Sequence, residues 1–328
     1  MRTSYALQVF FQNLIQKIIF FSSSCFHKGN SCWKMSSKYD EIMATKAFLP
    51  YRMGYLTDWM IKKAKAELNE TDQNRDPALE EFRSLIAKKT ELDCWTDDAY
   101  LLQYLRSRKF NLENAMDRLQ NFFTVKKNFP DVYPENLDLH TLKKVFDSGV
   151  CSCLPYRDDH GSFVFVFNIS KWDPDILSFQ VIVSAMTGTV LCCVEDLATQ
   201  VCGVQILVDM QGLYMKQIRQ ITPRYIQLIS HALRNTLPLI FKGIHIVNES
   251  FLFGPIYSVL KIFLSEKIKK RFHFHGSDTK HLQKYLPKDI LPAEYDGDNI
   301  HYSTQDWCQR EMELYYERYA QLHHKGYC

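Results

Sequence analysis

Two stretches of this chain are apolar at almost every position, Val204-Gln205-Ile206-Leu207-Val208-Asp209 and Gly243-Ile244-His245-Ile246-Val247-Asn248. Short runs of this kind, rich in β-branched residues, read as strands buried on both faces. A helix opening at Thr222-Pro223 lies between them, with proline at the first helical position, where its missing N–H costs nothing. Strand, helix and strand in that order predict an α/β fold with a mixed, largely parallel sheet and helices packed outside it. Behind the second strand comes a greasy helix over residues 251–264, followed by Glu266-Lys267-Ile268-Lys269-Lys270-Arg271. The segment closes on Leu291-Pro292-Ala293-Glu294-Tyr295-Asp296-Gly297. Apolar strands, an apolar helix and a cationic tail imply a chain that shelters something oily beside a membrane.

Upstream, residues 56–68 read as a short helix and residues 69–77 as a polar, acidic linker. Residues 79–89 form a helix with Leu79, Phe82, Leu85 and Ile86 on one face. Thr96-Asp97-Asp98 starts another, and Asn111 starts a third that runs through Phe123 and Val125. From about residue 135 the character changes. Residues 142–146 are predicted helical. Residues 150–154 and 163–169 are predicted strands around the tight turn Asp158-Asp159-His160-Gly161. Residues 179–198 read as one long helix, apolar on most sides, hence buried or lining an apolar chamber. Residues 309–324 are predicted to form a terminal helix.

The chain's 328 residues suffice for one large or two modest domains. A net charge of +3 is too small to imply nucleic acid. The ten cysteines lack paired C-x-x-C spacing, as Cys151-Ser152-Cys153 and Cys192-Cys193 illustrate. They read as reduced, buried thiols of a cytosolic chain whose core needs no disulfide staple. Residues 5–21 are apolar but interrupted by Gln8, Gln12, Asn13, Gln16 and Lys17, too polar for a membrane span. They admit three readings: a signal peptide behind Arg2, an amphipathic surface helix, or an extension ahead of a natural start at Met35. The third is preferred, and residues 1–34 are then expected to be dispensable.

No G-x-G-x-x-G, Walker, G-x-S-x-G or H-E-x-x-H sequence occurs. His273 and His275 share one face of a strand, a spacing open to metal. His245 reads as a hydrogen-bonded core histidine. No catalytic residue, metal site or cofactor is expected. What remains is binding. Leu252, Ile256 and Val259 fall at i, i+4 and i+7, and Phe253, Tyr257, Leu260 and Phe263 form a second stripe. A helix apolar on two faces covers a ligand with one and touches a bilayer with the other. Lys267 and Arg271, four apart, share a face if their helix continues. Arg106, Arg108 and Lys242 are candidates to join them. The basic run lacks interleaved aromatics, which argues against nucleic acid.

The order and spacing of Asp209, Gly212, Ile221-Thr222-Pro223, Gly243-Ile244-His245, Asn248-Glu249, Lys267-Ile268-Lys269, His273, His275-Gly276 and Leu291-Pro292-Ala293-Glu294-Tyr295 closely resemble the CRAL-TRIO lipid-binding family, notably its tocopherol-transfer, retinaldehyde-binding and clavesin branches. The resemblance covers residues 75–307. One departure is Asp296-Gly297, where Gly-Gly is expected. It implies an amino-terminal helical bundle followed by a CRAL-TRIO domain whose sheet and helices enclose an apolar cavity. The expected organisation is an extension over 1–34, a helix and linker over 35–75, a three-helix element over 76–135, the lipid-binding domain over 136–302 and a terminal helix over 303–328.

The cavity walls implied by the resemblance are Val183, Met186, Val190, Val204, Ile206, Val208, Ile229, Leu233, Phe241, Ile244 and Ile246. Met186 and Val190 stand where the tocopherol carrier has small hydroxyl residues, favouring a more apolar or differently shaped guest. Residues 251–264 resemble the family's mobile lid, with Leu252, Ile256 and Val259 toward the membrane. Arg108, Lys242, Lys267 and Arg271 match a phosphoinositide-binding patch, and Ile240 replaces a further expected lysine. The resemblance implies a non-enzymatic cytoplasmic carrier of a tocopherol-, retinoid- or similar lipid, docking reversibly on endosomal or Golgi-type membranes. The alternative is a phosphoinositide-binding trafficking adaptor of clavesin type.

Overall fold

The computed structural model describes residues 43, 45–133, 139–299, 321 and 324–327. The chain divides into two units, Met1–Lys46 and Ala47–Cys328, and the architecture is that of the second. The extension over 1–34 and most of the predicted terminal helix lie outside the described residues.

Helix α1 (Asp58–Leu68) buries Met60, Ala64 and Leu68, which cluster with Ala198, Val201 and Cys202. Helix α2 (Asp72–Ala87) starts earlier than its composition predicts. The Thr71 hydroxyl accepts from the Asn74 N–H, and the Asn74 side chain accepts from the Thr71 N–H. This reciprocal cap turns most of the predicted linker into helix, Pro77 included, and leaves only Asn69-Glu70-Thr71 between α1 and α2. The predicted caps of α3 (Asp98–Ser107) and α4 (Leu112–Asn128) are present: Asp97 accepts from the Tyr100 N–H, and Asn111 from the Asn114 N–H. Helix α5 (Leu139–Asp147) leads into the sheet.

The main sheet runs β1 (Cys151–Cys153), β2 (Phe163–Asn168), β3 (Val204–Asp209), β4 (Phe241–Val247) and β5 (Phe272–Phe274), in that spatial order. β1 is antiparallel to β2, and all other pairs are parallel. The register sorts side chains by face, because residues alternate along a strand. Cys153, Phe165, Ile206, Ile244 and Phe272 make one row across all five strands, and Cys151, Phe167, Val208, Ile246 and Phe274 the next on that face. The row between them, Ser152, Val166, Leu207, His245 and His273, points the other way. The first face shares one apolar cluster with α6 (Phe179–Cys193), α9 (Pro223–His231) and α10 (Phe253–Phe263).

One predicted helix is broken, and another ends where it was read to end. The helix read over 179–198 stops at Cys193, and Asp196 caps a new helix, α7 (Leu197–Cys202), by accepting from the Thr199 N–H. The lid helix stops at Phe263. Leu264 is extended, and Ser265 caps α11 (Glu266–Lys269). Lys267 and Arg271 therefore do not share one continuous helix, and Arg271 lies beyond the end of α11. At Asp196 a side-chain cap interrupts a run whose composition would have continued.

Candidate functional site

A central strand of a covered parallel sheet buries both its faces. β3 does not. Val204, Gln205, Leu207 and Asp209 are buried, yet Ile206 and Val208 are only partly so. Their neighbours in the rows, Phe165, Phe167, Ile244 and Ile246, are buried, so the accessible surface faces inward over the middle of the sheet. Met186 and Val190 on α6, Ile229 on α9, and Leu252 and Ile256 beside them are also half-buried members of the same cluster. This is the geometry of an apolar recess. Among the implied wall residues, Met186, Val190, Ile206, Val208 and Ile229 keep accessible surface, whereas Val183, Val204, Leu233, Phe241, Ile244 and Ile246 are buried.

α10 lies across this face. Phe253, Leu260 and Leu264 are buried, and the Tyr257 ring rests 5.2 Å from Phe272 and 5.0 Å from Phe274. On its outer side Val259, Ile262 and Phe263 are 39%, 73% and 43% exposed, and Phe251 ahead of it 87%. Leu252 and Ile256, predicted to face a membrane, instead turn partly toward the core. Helical spacing reveals two stripes but not which of them faces inward. Ile262, which neither stripe included, is the most exposed large apolar residue of the helix.

At the other end of the lid, cations converge. Burial, followed by the charges of Arg271, Lys109, Arg108 and Arg118, lowers the pKa of Lys267. Arg118 is 6% exposed. Its Nη1 donates to the Leu239 carbonyl at 3.1 Å and its Nη2 to the Arg234 carbonyl at 3.5 Å. Burial, then the charge of Arg108, presses its pKa down to about 9. The buried Nε atoms of Arg108 and Arg118 have no hydrogen-bond partner among the described residues. Nor does any of Arg108, Arg118, Lys267 or Arg271 form an ion pair among the described residues. The Asp117 carboxylate acts on Arg108, but no carboxylate pairs with the cluster among the described residues, an arrangement that favours a polyanion.

Two expected members have carboxylate partners of their own. Lys242 pairs with Glu67 of α1 at 3.2 Å. Arg106 turns inward, making a two-pronged pair with Glu70 at 2.7 Å on each prong and donating to Gln200 at 2.7 Å. Sequence reasoning missed Arg118 although a signal exists. It sits among Ala115, Met116, Leu119 and Phe122 on the buried side of α4, a cation in an apolar stripe.

An α/β sheet with an inward-facing apolar recess, a helix across it and cations at its edge defines a lipid-binding class of fold. Residues 147–297 match the CRAL/TRIO domain. Alpha-tocopherol transfer protein-like of Mus musculus is 33% identical over 253 residues, 77% of this chain and 74% of that protein. Clavesin-1 of Xenopus laevis is 28% identical over 270 residues, 81% of each chain. Clavesin-2 of Mus musculus is 27% identical over 266 residues, 78% of this chain and 79% of that protein. The chain belongs to the CRAL-TRIO family. Among the described residues, no helix is long and apolar enough to cross a membrane.

Proposed function

We propose that this chain binds a small hydrophobic ligand of tocopherol, retinoid or similar lipid class in the recess over β3 and carries it between membranes. The observation behind this reading is the partial exposure of Ile206 and Val208 at the centre of the sheet. Enclosing such a guest removes on the order of 400 Å² of apolar surface from water, about 10 kcal/mol gross. An association cost of about 4 kcal/mol leaves about 6 kcal/mol, a Kd in the tens of micromolar before any polar contact is counted, with no catalytic step required. The tocopherol-transfer relatives support a carrier.

Membrane docking divides between the outer face of the lid and the cations just beyond its carboxy-terminal end. Val259, Ile262 and Phe263 enter the bilayer surface, and Arg108, Arg118, Lys267 and Arg271 gather an anionic headgroup, in the first place a phosphoinositide. Such a headgroup relieves the repulsion that now burdens Lys267 and Arg118. Lys242 joins the cluster when Glu67 releases it. Docking is peripheral and reversible, from the cytoplasm, on endosomal or Golgi-type membranes. The same cations, with the clavesin relatives, favour a second reading: a phosphoinositide-binding trafficking adaptor.

The test is native mass spectrometry of the full chain after exposure to tocopherol, retinaldehyde and phospholipid vesicles. The expected result is an apolar adduct on the parent. Val208→Trp, which fills the recess, should lose that adduct while keeping the parent's circular dichroism. A parent that takes up no apolar lipid overturns the carrier reading, and vesicle binding without uptake selects the adaptor.

A further inference from the structure

The opposite face of the sheet holds a polar cluster that the recess does not use. His245 on β4 is 1% exposed and His275, just past β5, 5%. Their proton positions follow from their partners. The Asp158 carboxylate, in the turn between β1 and β2, only accepts, so Gln205 donates its Nε2–H to Oδ2 at 3.1 Å. Gln205 Oε1 is then an acceptor, and His245 donates its Nε2–H to it at 3.2 Å. A neutral ring protonated on Nε2 accepts at Nδ1. His275 therefore donates its Nε2–H there at 3.1 Å. By the same rule His275 accepts at Nδ1 from Nδ1 of His281, on α12 (Thr279–Leu282), at 2.9 Å. Every bond points one way, from His281 through His275, His245 and Gln205 to Asp158.

The relay is closely fitted. A Cβ on Gly243 would lie 2.4 Å from Gln205 Oε1 and 2.6 Å from His245 Nε2. Other polar and titratable groups surround it. His273 stacks on His245 at 5.1 Å, and the Tyr285 ring lies 4.5 Å from His273 and 5.6 Å from His275. Asp278 acts on His275, and the Glu249 carboxylate accepts from the Gly276 N–H. The bond directions so assigned hold only while His245 and His275 are neutral, and a proton added to either ring is met only if His281 turns from donor to acceptor. A proton on Nδ1 of His275 would face the His281 donor, and one on Nδ1 of His245 would face the His275 donor.

We infer that this relay is an acid-labile latch on β5 and that its release below neutral pH loosens the lid. β5 carries the latch on one side and the lid on the other. His275 belongs to the relay and His273 stacks beside it, while Phe272 and Phe274 hold Tyr257, with Phe253 6.3 Å from Phe274. The lid half rests on the reading of α10 as the cover of the recess. Burial first, then the neighbouring histidines, lower His245 to about 3 and His275 to about 4, from the usual 6.5. Below pH 6.5 the opened segment binds more protons than the latched one. The latch is therefore complete above that value and is lost progressively as pH falls toward 4. Each histidine shifts opening by at most tenfold per pH unit, so opening becomes up to about 1000-fold easier between pH 7.4 and 5.

Hydrogen exchange of the full chain across that range, corrected for the intrinsic pH dependence of exchange, tests the latch without any ligand, so its failure is separate from failure of the carrier reading. Residues 272–285 should lose protection first and residues 253–263 with them, while β2 and β3 keep theirs. His275→Gln donates and accepts without titrating, and should cut the response from up to about 1000-fold to about 30-fold, the share left to His245. Equal protection of 272–285 at both ends of the range overturns the latch, as does simultaneous loss in every strand or an unchanged acid response in His275→Gln. If 272–285 loosens while 253–263 does not, the coupling to the lid is wrong.

Discussion

Arg157→Met tests whether the segment ahead of α1 is part of the lipid-binding fold. Arg157 is fully buried. Its Nε donates to the Pro50 carbonyl at 3.1 Å and its Nη1 to the Gly161 carbonyl at 3.0 Å. Its Nη2 reaches Asp196 Oδ1 at 2.6 Å, the Thr199 hydroxyl at 2.9 Å and the Tyr51 carbonyl. Asp196 in turn accepts the Met53 N–H at 2.6 Å. Methionine fills much of the space but strands a buried carboxylate and removes a donor from three carbonyls. Breaking one side of such a pair costs about 3–5 kcal/mol, a large share of the roughly 5–15 kcal/mol that holds a domain together. At about 2–4 °C per kcal/mol for a chain of this size, the melting midpoint should fall by about 6–20 °C. Adding Asp196→Asn removes the stranded charge while keeping an oxygen for the α7 cap, and should recover part of the loss. Thermal melts at pH 7.4 followed by circular dichroism measure both, with limited proteolysis reporting on residues 47–57. A midpoint lowered by less than about 2 °C would mean the buried pair contributes almost nothing net, and the fastening argument fails.

Lys267→Ala with Arg271→Ala removes two cations worth about 1 kcal/mol each at an anionic surface. Binding to vesicles containing phosphatidylinositol bisphosphate should weaken about 30-fold, with a flatter salt dependence and unchanged ligand uptake in solution. Co-sedimentation across a salt series checks this, and parent-like behaviour throughout makes the cluster a solvated face. Ile262→Asp, at an exposed position, should impair docking even on neutral vesicles while leaving the melting midpoint within about 2 °C of the parent. Unaltered sedimentation would remove the outer face of α10 from the docking surface.

What was legible in the sequence was local. The β3 and β4 runs, the Asp97 and Asn111 caps and the Pro223 helix start each depend on a few neighbouring residues, and each appears in the fold. Some misreadings were local, the Thr71–Asn74 and Asp196–Thr199 caps among them, and others concern partners far along the chain. Nothing near Lys242 announces Glu67, 175 residues away, and Asp196 is as much a partner of Arg157, 39 residues earlier, as a helix cap. The departure at Asp296-Gly297 shows where local reasoning still holds. Asp296 adopts a left-handed φ of 54°, a conformation that aspartate tolerates because its short side chain can bond locally. A Cβ on Gly297 would lie 1.9 Å from the Leu291 carbonyl oxygen, and no side chain is tolerated there. The substitution from the expected Gly-Gly thus falls on the position where only φ is demanding, and glycine is kept where the backbone itself leaves no room. Arg118 is the opposite case. A buried guanidinium without a carboxylate opposes folding, and its Nη donors are met by the Leu239 and Arg234 carbonyls, 121 and 116 residues away, which local sequence does not announce.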